Sequence, residues 1–413
     1  MHKRFVSVIY LLLVFLLITG CTSTMGFDAS LDAIVEPYHF SIARWELKNL
    51  PRELGEWLFH HDEETGSEIE LVRGYFSLVD ELSRLEKEIA AAKAGVTPGD
   101  LPLLESEMGE VEEERDSLEG EVERIIERQI TETLIEMGIF RAGGDARWYK
   151  PNSPPVNIEL AATPYLLVVS PRDRIESIRE ITLKQDISLT EVQGIESNVD
   201  GLGVSSLVIA LGGIGTYPGF VTNKASLEFT VDTAVEEWLH QYLSFRPLGF
   251  SYVLHIAGVS PDYEIATMNE TVASIVSKEI GAKLREKYYP HYRAGEAENE
   301  EEVAGIDFDQ EMRDIRRAVD TYLAEGDIEQ AEEFMEKRRI YLVEAGYNVR
   351  KINQAYFAFH GKYADRPASI SPIGVELREM RKRYAALKDF LSEVAAMNSR
   401  EDLTLALEKI QAE

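Results

Sequence analysis

Apolar residues recur along this chain at helical spacing for long stretches, interrupted by one region that reads as strands. Leu71, Tyr75, Leu78, Leu82 and Leu85 fall close to the 3.6-residue period and predict a helix over 71–92. Gly95-Val96-Thr97-Pro98-Gly99-Asp100 is a turn signal. Beyond it, Met108, Val111, Leu118, Val122 and Ile126 mark one side of a glutamate-rich helix over 104–139. Two long helices around one turn predict a hairpin of coiled-coil character, with a scaffold or spacer role as the default. Upstream, residues 30–75 mix aromatic and polar positions and read as helix broken near Pro51.

The pattern changes at Gly143-Gly144 and a linker-like run holding Pro151, Pro154 and Pro155. Ile158-Glu159-Leu160 and Tyr165-Leu166-Leu167-Val168-Val169 read as strands, and 206–211 as a third. Gly212, Gly213, Gly215 and Gly219 follow, with no Lys-Ser or Lys-Thr pair at phosphate-loop spacing, so they predict an edge strand with a bulge or turn. A helix capped by Asp232 or Thr233 then runs to about residue 243, ended by Arg246-Pro247-Leu248-Gly249. A second, capped by Asn269, covers 270–288. Residues 295–306 read as an acidic loop, 308–324, 328–345 and 349–359 as helices, and 375–396 as one last long helix. The expectation is α+β and mostly helical: a core with a small sheet over 146–290, an N-terminal helical region over 22–145 and a C-terminal helical region over 291–413.

Composition adds two constraints. Forty-three Lys and Arg against 73 Asp and Glu give a net charge of −30, which repels phosphate backbones and argues against nucleic acid as a partner. Cys21 is the only cysteine in the chain, so no internal disulfide can form. It closes a leader in which His2-Lys3-Arg4 precedes an apolar run over 5–18, short for a spanning helix but suited to a secretory signal. Ile18-Thr19-Gly20-Cys21 resembles a bacterial lipobox. That resemblance implies residues 1–21 as a lipoprotein signal, a lipid on Cys21, and an extracytoplasmic chain tethered to a membrane of the cell envelope. An uncleaved anchor with an incidental cysteine is the alternative. Oligomeric state is not written in the sequence.

The chemistry concentrates in Glu236-Glu237-Trp238-Leu239-His240 and Asn269-Glu270. Positions four apart share a helix face, so Glu236 and His240 can point at one ion with Glu237 beside them. The five residues resemble the His-Glu-x-x-His helix of zincin metallopeptidases, with glutamate in place of the first histidine. Met268 to Gly281 resembles the helix carrying the third ligand in glutamate-type zincins of the predicted-aminopeptidase kind. The resemblance spans roughly residues 205–285. It implies a zincin-like core, metal ligands Glu236, His240 and Glu270, and Asn269 as cap or support. It implies metal-activated water attacking a peptide bond of a peptide or protein substrate, with Glu237 as general base. Zinc is the expected ion. Two carboxylates leave less positive charge on it, which slows hydrolysis or favours a harder ion such as manganese. Tyr217, His291, Tyr356 and Tyr363 are candidates for stabilising the oxyanion. The strand region over 206–217 could hold a peptide at its edge.

Other readings carry less. Glu237-x-x-His240 also has di-iron bundle spacing, but its one partner, Glu36-Pro37-Tyr38-His39, holds a proline. His60-His61-Asp62-Glu63 looks metal-like by composition only and suits an exposed helix end. The competing function is a catalytically inactive, peptidase-like lipoprotein that binds or scaffolds envelope partners.

Overall fold

A computed structural model describes residues 26–41, 66–96, 100–140, 154–290, 292 and 307–412. Residues 1–25 with Cys21, the His60–Glu63 cluster, Gly143-Gly144, Pro151, His291 and the acidic loop 295–306 lie outside the described residues. In chain order the elements are α1 (Phe27–Val35), α2 (Gly66–Lys93), α3 (Leu101–Glu136), β1 (Ile158–Ala161), β2 (Tyr165–Pro171), β3 (Arg179–Leu183) and α4 (Leu189–Asp200). Then come β4 (Val204–Ala210), β5 (Gly213–Ile214), β6 (Gly219–Thr222), α5 (Leu227–Ser244), α6 (Pro247–Ile256) and α7 (Tyr263–Tyr288). The chain ends in α8 (Phe308–Glu325), α9 (Ile328–Glu344), α10 (Gln354–His360), α11 (Ile373–Arg383), α12 (Leu387–Ala395) and α13 (Arg400–Ala412). The class is α+β, mostly helical, with few strands. Among the described residues no helix is long and apolar enough to cross a membrane.

The α2–α3 hairpin forms as its periodicity predicts, but it is a wall of the core. Tyr75, Phe76, Val122 and Ile126 sit in one apolar cluster with Trp238, Met268, Met380 and Phe390. That cluster crosses both sequence boundaries near 145 and 290. A second cluster packs α1 and α4 on one face of the first sheet, and α10 covers the other face.

The strands form two three-stranded sheets. One has the order β3-β2-β4, all antiparallel, with Leu167 opposite both Ile181 and Val208. The other has the order β1-β6-β5, where β1 runs parallel to β6 and β5 antiparallel to it. The 206–217 stretch therefore contributes to both sheets rather than to one strand. β3, α4, β6 and α6 had no counterpart in the sequence reading.

The outer margins of β1 and β4 are closed in the same way. Glu127 and Glu123 of α3 accept hydrogen bonds from the amides of Ile158 (2.8 Å) and Leu160 (2.7 Å). Glu196 and Asp200 of α4 accept from Val208 (2.7 Å) and Ser206 (2.8 Å). Carboxylates four apart on a helix are separated by about 6 Å of rise, close to the roughly 6.7 Å between alternate amides of a strand. The outer side of β3 is met by residues 38–40, with the Phe40 amide on Thr182 O and the Lys184 amide on Tyr38 O. His39 bridges Leu183 there, so Glu36 and His39 belong to this sheet margin and form no di-iron partner for Glu237.

Helix ends differ from expectation where side-chain caps lie elsewhere. α5 is capped by Ser226 and α7 by Asp262, so both start about two turns before Asp232 and Asn269. Asp232 instead pairs with Arg285 at 2.5 Å. Asn353 caps α10, which begins later than residue 349. The expected 375–396 helix is α11 and α12 separated at Tyr384, whose extended carbonyl accepts from Arg381 at 2.6 Å.

Candidate metal centre

α5 presents Glu236, Glu237 and His240 because its other face is fixed in the core. Val231, Val235 and Leu239 are fully buried there. Trp238 donates Nε1–H to Pro154 O at 3.0 Å and meets Phe140 edge-on at 5.4 Å. α6 starts with Pro247 in its first turn and folds back at Gly249. A Cβ on Gly249 would stand 2.2 Å from the Leu243 carbonyl, so only glycine permits the elbow. The elbow carries Tyr252 over the site. α7 brings Asn269 and Glu270 from its interior, both buried. Asn269 is therefore a mid-helix residue and not a cap.

The three expected ligands converge. One donor atom each from Glu236, His240 and Glu270 lies within 4.8 Å of the others. His240 Nδ1 is 2.9 Å from Asn269 Oδ1. That oxygen can only accept, so Nδ1 carries a proton, and in the neutral ring Nε2 holds the lone pair. Tyr252 donates its hydroxyl to Glu270 Oε1 and stacks on the His240 ring at 5.9 Å. Glu270 Oε2 is buried with no hydrogen-bond partner and stands 3.6 Å from His240 Nε2, too far for a hydrogen bond. Two donors on one tetrahedral ion at about 2.1 Å would be roughly 3.4 Å apart. The orphaned oxygen, the free lone pair and their separation fit a cation, and the Glu-His-Glu group could hold one.

Glu237 sits under the glycine-rich ribbon that joins β4 to β6. A Cβ on Gly213 would fall 2.4 Å from Glu237 Oε1, one on Gly215 3.2 Å from His240 Cβ, and one on Gly219 3.3 Å from Glu237 Cβ. Glycine lets this edge lie directly on α5. Burial first, then the charges of Glu236 and Glu270, push the Glu237 carboxyl well above its usual range. The same two causes, burial and the Glu270 charge, raise Glu236 to about 7, with His240 acting in the opposite direction.

Of the oxyanion candidates, the structure brings Tyr363 to the centre. The next residue's amide, Ala364, donates to Thr271 Oγ1 at 2.9 Å, which holds this segment on α7 beside Glu270, and burial first, then the charges of Glu270 and Glu236, raise the Tyr363 phenol. Tyr356 packs on His360 at 4.3 Å between α10 and the first sheet. Tyr217 lies in the turn before β6. Sequence reasoning missed Tyr252, whose signal was Pro247 read as a terminator rather than as a helix start. It also missed Asp365 and Arg366, which belong to no motif. No protein-family model, curated protein or solved structure matches the chain.

Proposed function

We propose that this chain is a metal-dependent peptidase with a zincin-like core, held outside the cytoplasm by a lipid on Cys21. The observation that carries the reading is the partnerless Glu270 Oε2 facing the free Nε2 of His240. Glu236, His240 and Glu270 would hold zinc, or manganese in view of the two carboxylates. A bound divalent ion supplies Lewis acidity, lowering the pKa of water and polarising a carbonyl.

The chain's own residues do the rest. Asn269 fixes the His240 tautomer and Tyr252 orients Glu270. Glu237 accepts a proton and returns it to the leaving amine. Burial and the charges of Glu236 and Glu270 hold its carboxyl above the usual range, and positive charge at the centre would act against the two carboxylates. Tyr363 offers a phenolic hydrogen to the developing oxyanion. β5 is an edge strand lying against Glu237, where an extended peptide can add main-chain hydrogen bonds.

Metal analysis of the purified protein tests the centre. About one zinc per chain is expected, lost in Glu270→Ala and kept in Glu237→Gln. Glu237→Gln should lower peptidase activity by about 10²-fold or more. A wild-type protein that takes up no metal defeats the proposal. Cys21→Ser should abolish fatty-acid labelling and release the protein from membranes, and labelling that survives the change removes the anchor. The inactive-scaffold reading is favoured by the carboxylate at 236. Peptidase activity gained in Glu236→His but absent from the parent would support it.

A further inference from the structure

Arg366 sits beside the candidate centre with its charge unanswered. The segment carrying it is docked on α7 next to Glu270. The Ala364 amide donates to Thr271 Oγ1 at 2.9 Å, and Asp365 Oδ2 accepts from Ser274 Oγ and Lys278 Nζ, both at 2.8 Å. A turn closes there, with the Arg366 amide on Tyr363 O at 2.9 Å. The guanidinium lies over the Tyr363 ring, 4.2 Å from its centroid. Its side chain has no hydrogen-bond or ion-pair partner among the described residues. It is part-buried, and its charge reaches both Glu236 and the Tyr363 phenol.

An arginine in a chain of net charge −30 normally finds a carboxylate. Arg172, Arg338, Arg350 and Arg381 each do so. Asp365, its sequence neighbour, is engaged by Ser274 and Lys278 instead. The guanidinium carbon stands over the aromatic ring, and the fork of N–H donors along the guanidinium edge has no protein acceptor among the described residues. That edge suits a two-pronged bond to a carboxylate. Glu236 and Glu270 would balance a divalent cation, which leaves Arg366, among the described residues, as the one arginine of the site to meet an incoming anion beside Glu237.

We propose that Arg366 is a specificity residue that binds a substrate carboxylate next to the scissile bond, either the terminal carboxylate of a peptide or an acidic side chain. This rests on the peptidase reading for its place beside a scissile bond, and it moves the substrate away from recognition by a free amine. Tyr363 acquires a second duty as the platform that fixes the guanidinium.

Titration calorimetry on the full chain with three probes tests it. The probes are N-acetyl-triglycine, its C-terminal amide, and N-acetyl-Gly-Asp-Gly-amide. Wild type should bind the free acid roughly tenfold or more tightly than the plain amide. If the third probe binds like the free acid, a side-chain carboxylate is accepted, and if it binds like the amide, the terminal carboxylate is the ligand. Arg366→Gln should erase the discrimination while leaving zinc uptake and the melting temperature unchanged. Arg366→Lys, which keeps the charge but not the fork, should retain only part of it. Equal or absent binding of all three probes by wild type overturns the proposal, as does discrimination that survives in Arg366→Gln. Zinc uptake is measured separately. Discrimination without zinc or hydrolysis upholds Arg366 and removes the peptidase reading, whereas zinc and hydrolysis without discrimination remove only Arg366.

Discussion

Glu236 is the residue whose environment most directly links the centre to stability. Its folded-state pKa of about 7 lies above the usual value of 4.5. Between those values the folded chain holds a proton that the unfolded chain has released. Stability from this group is therefore full below pH 4.5 and is lost as pH rises through 7. The full shift corresponds to about 3 kcal/mol, and some contact with solvent reduces it to about 2 kcal/mol. Urea unfolding of metal-free protein should accordingly give a lower free energy at pH 7.5 than at pH 5. Glu236→Gln should flatten part of that slope, with Glu237, raised in the same direction, carrying the rest, and saturating zinc should reverse it. A wild-type slope equal to that of Glu236→Gln would rule this out. At this scale the sequence was informative where chemistry is local. Glu236 and His240 share a face by their spacing alone, and Glu270 followed by resemblance. Tyr252, Arg366 and the pairing of Asn269 with His240 depend on contacts between elements, which spacing does not encode.

Among the elements, the glycine ribbon over α5 is the most constrained. A methyl group at position 213 would meet Glu237 Oε1, Thr233 Cγ2 and the Phe220 carbonyl at 2.4–2.8 Å. Gly213→Ala should cost about 2 kcal/mol and lower activity by displacing Glu237, read together as melting temperature and turnover. Unchanged turnover would mean that the ribbon does not hold the base. The carboxylate pairs on β1 and β4 give a second prediction. Glu127→Ala leaves the Ile158 amide without its acceptor and should destabilise by about 1–3 kcal/mol in denaturant unfolding. Helix existence was legible from periodicity, since α2, α3, α8 and α9 lie within a few residues of expectation. Helix starts were not. Asn269 and Asp232 have the chemistry of caps, but inside the fold their side-chain oxygens are engaged by His240 and Arg285. β6 and β5 are too short to show an alternation, and their glycines are explained by the helix beneath them.

The whole molecule is knit through Trp238. Its neighbours lie on one side in α5 and on the other in Phe140, at the end of the hairpin. Trp238→Ala should cost about 4 kcal/mol and shift hairpin and centre together. Far-UV dichroism and loss of zinc should then melt in one transition, and two separated transitions would show the hairpin to be independent. The net charge of −30 adds self-repulsion, so moderate salt should raise the melting temperature. The acidic excess has a further consequence at the sheet margins. Where Glu123, Glu127, Glu196 and Asp200 occupy the amides of β1 and β4, neither strand offers donors to a neighbouring molecule. Polymerisation by edge-to-edge pairing is blocked there without any extra strand, proline or loop.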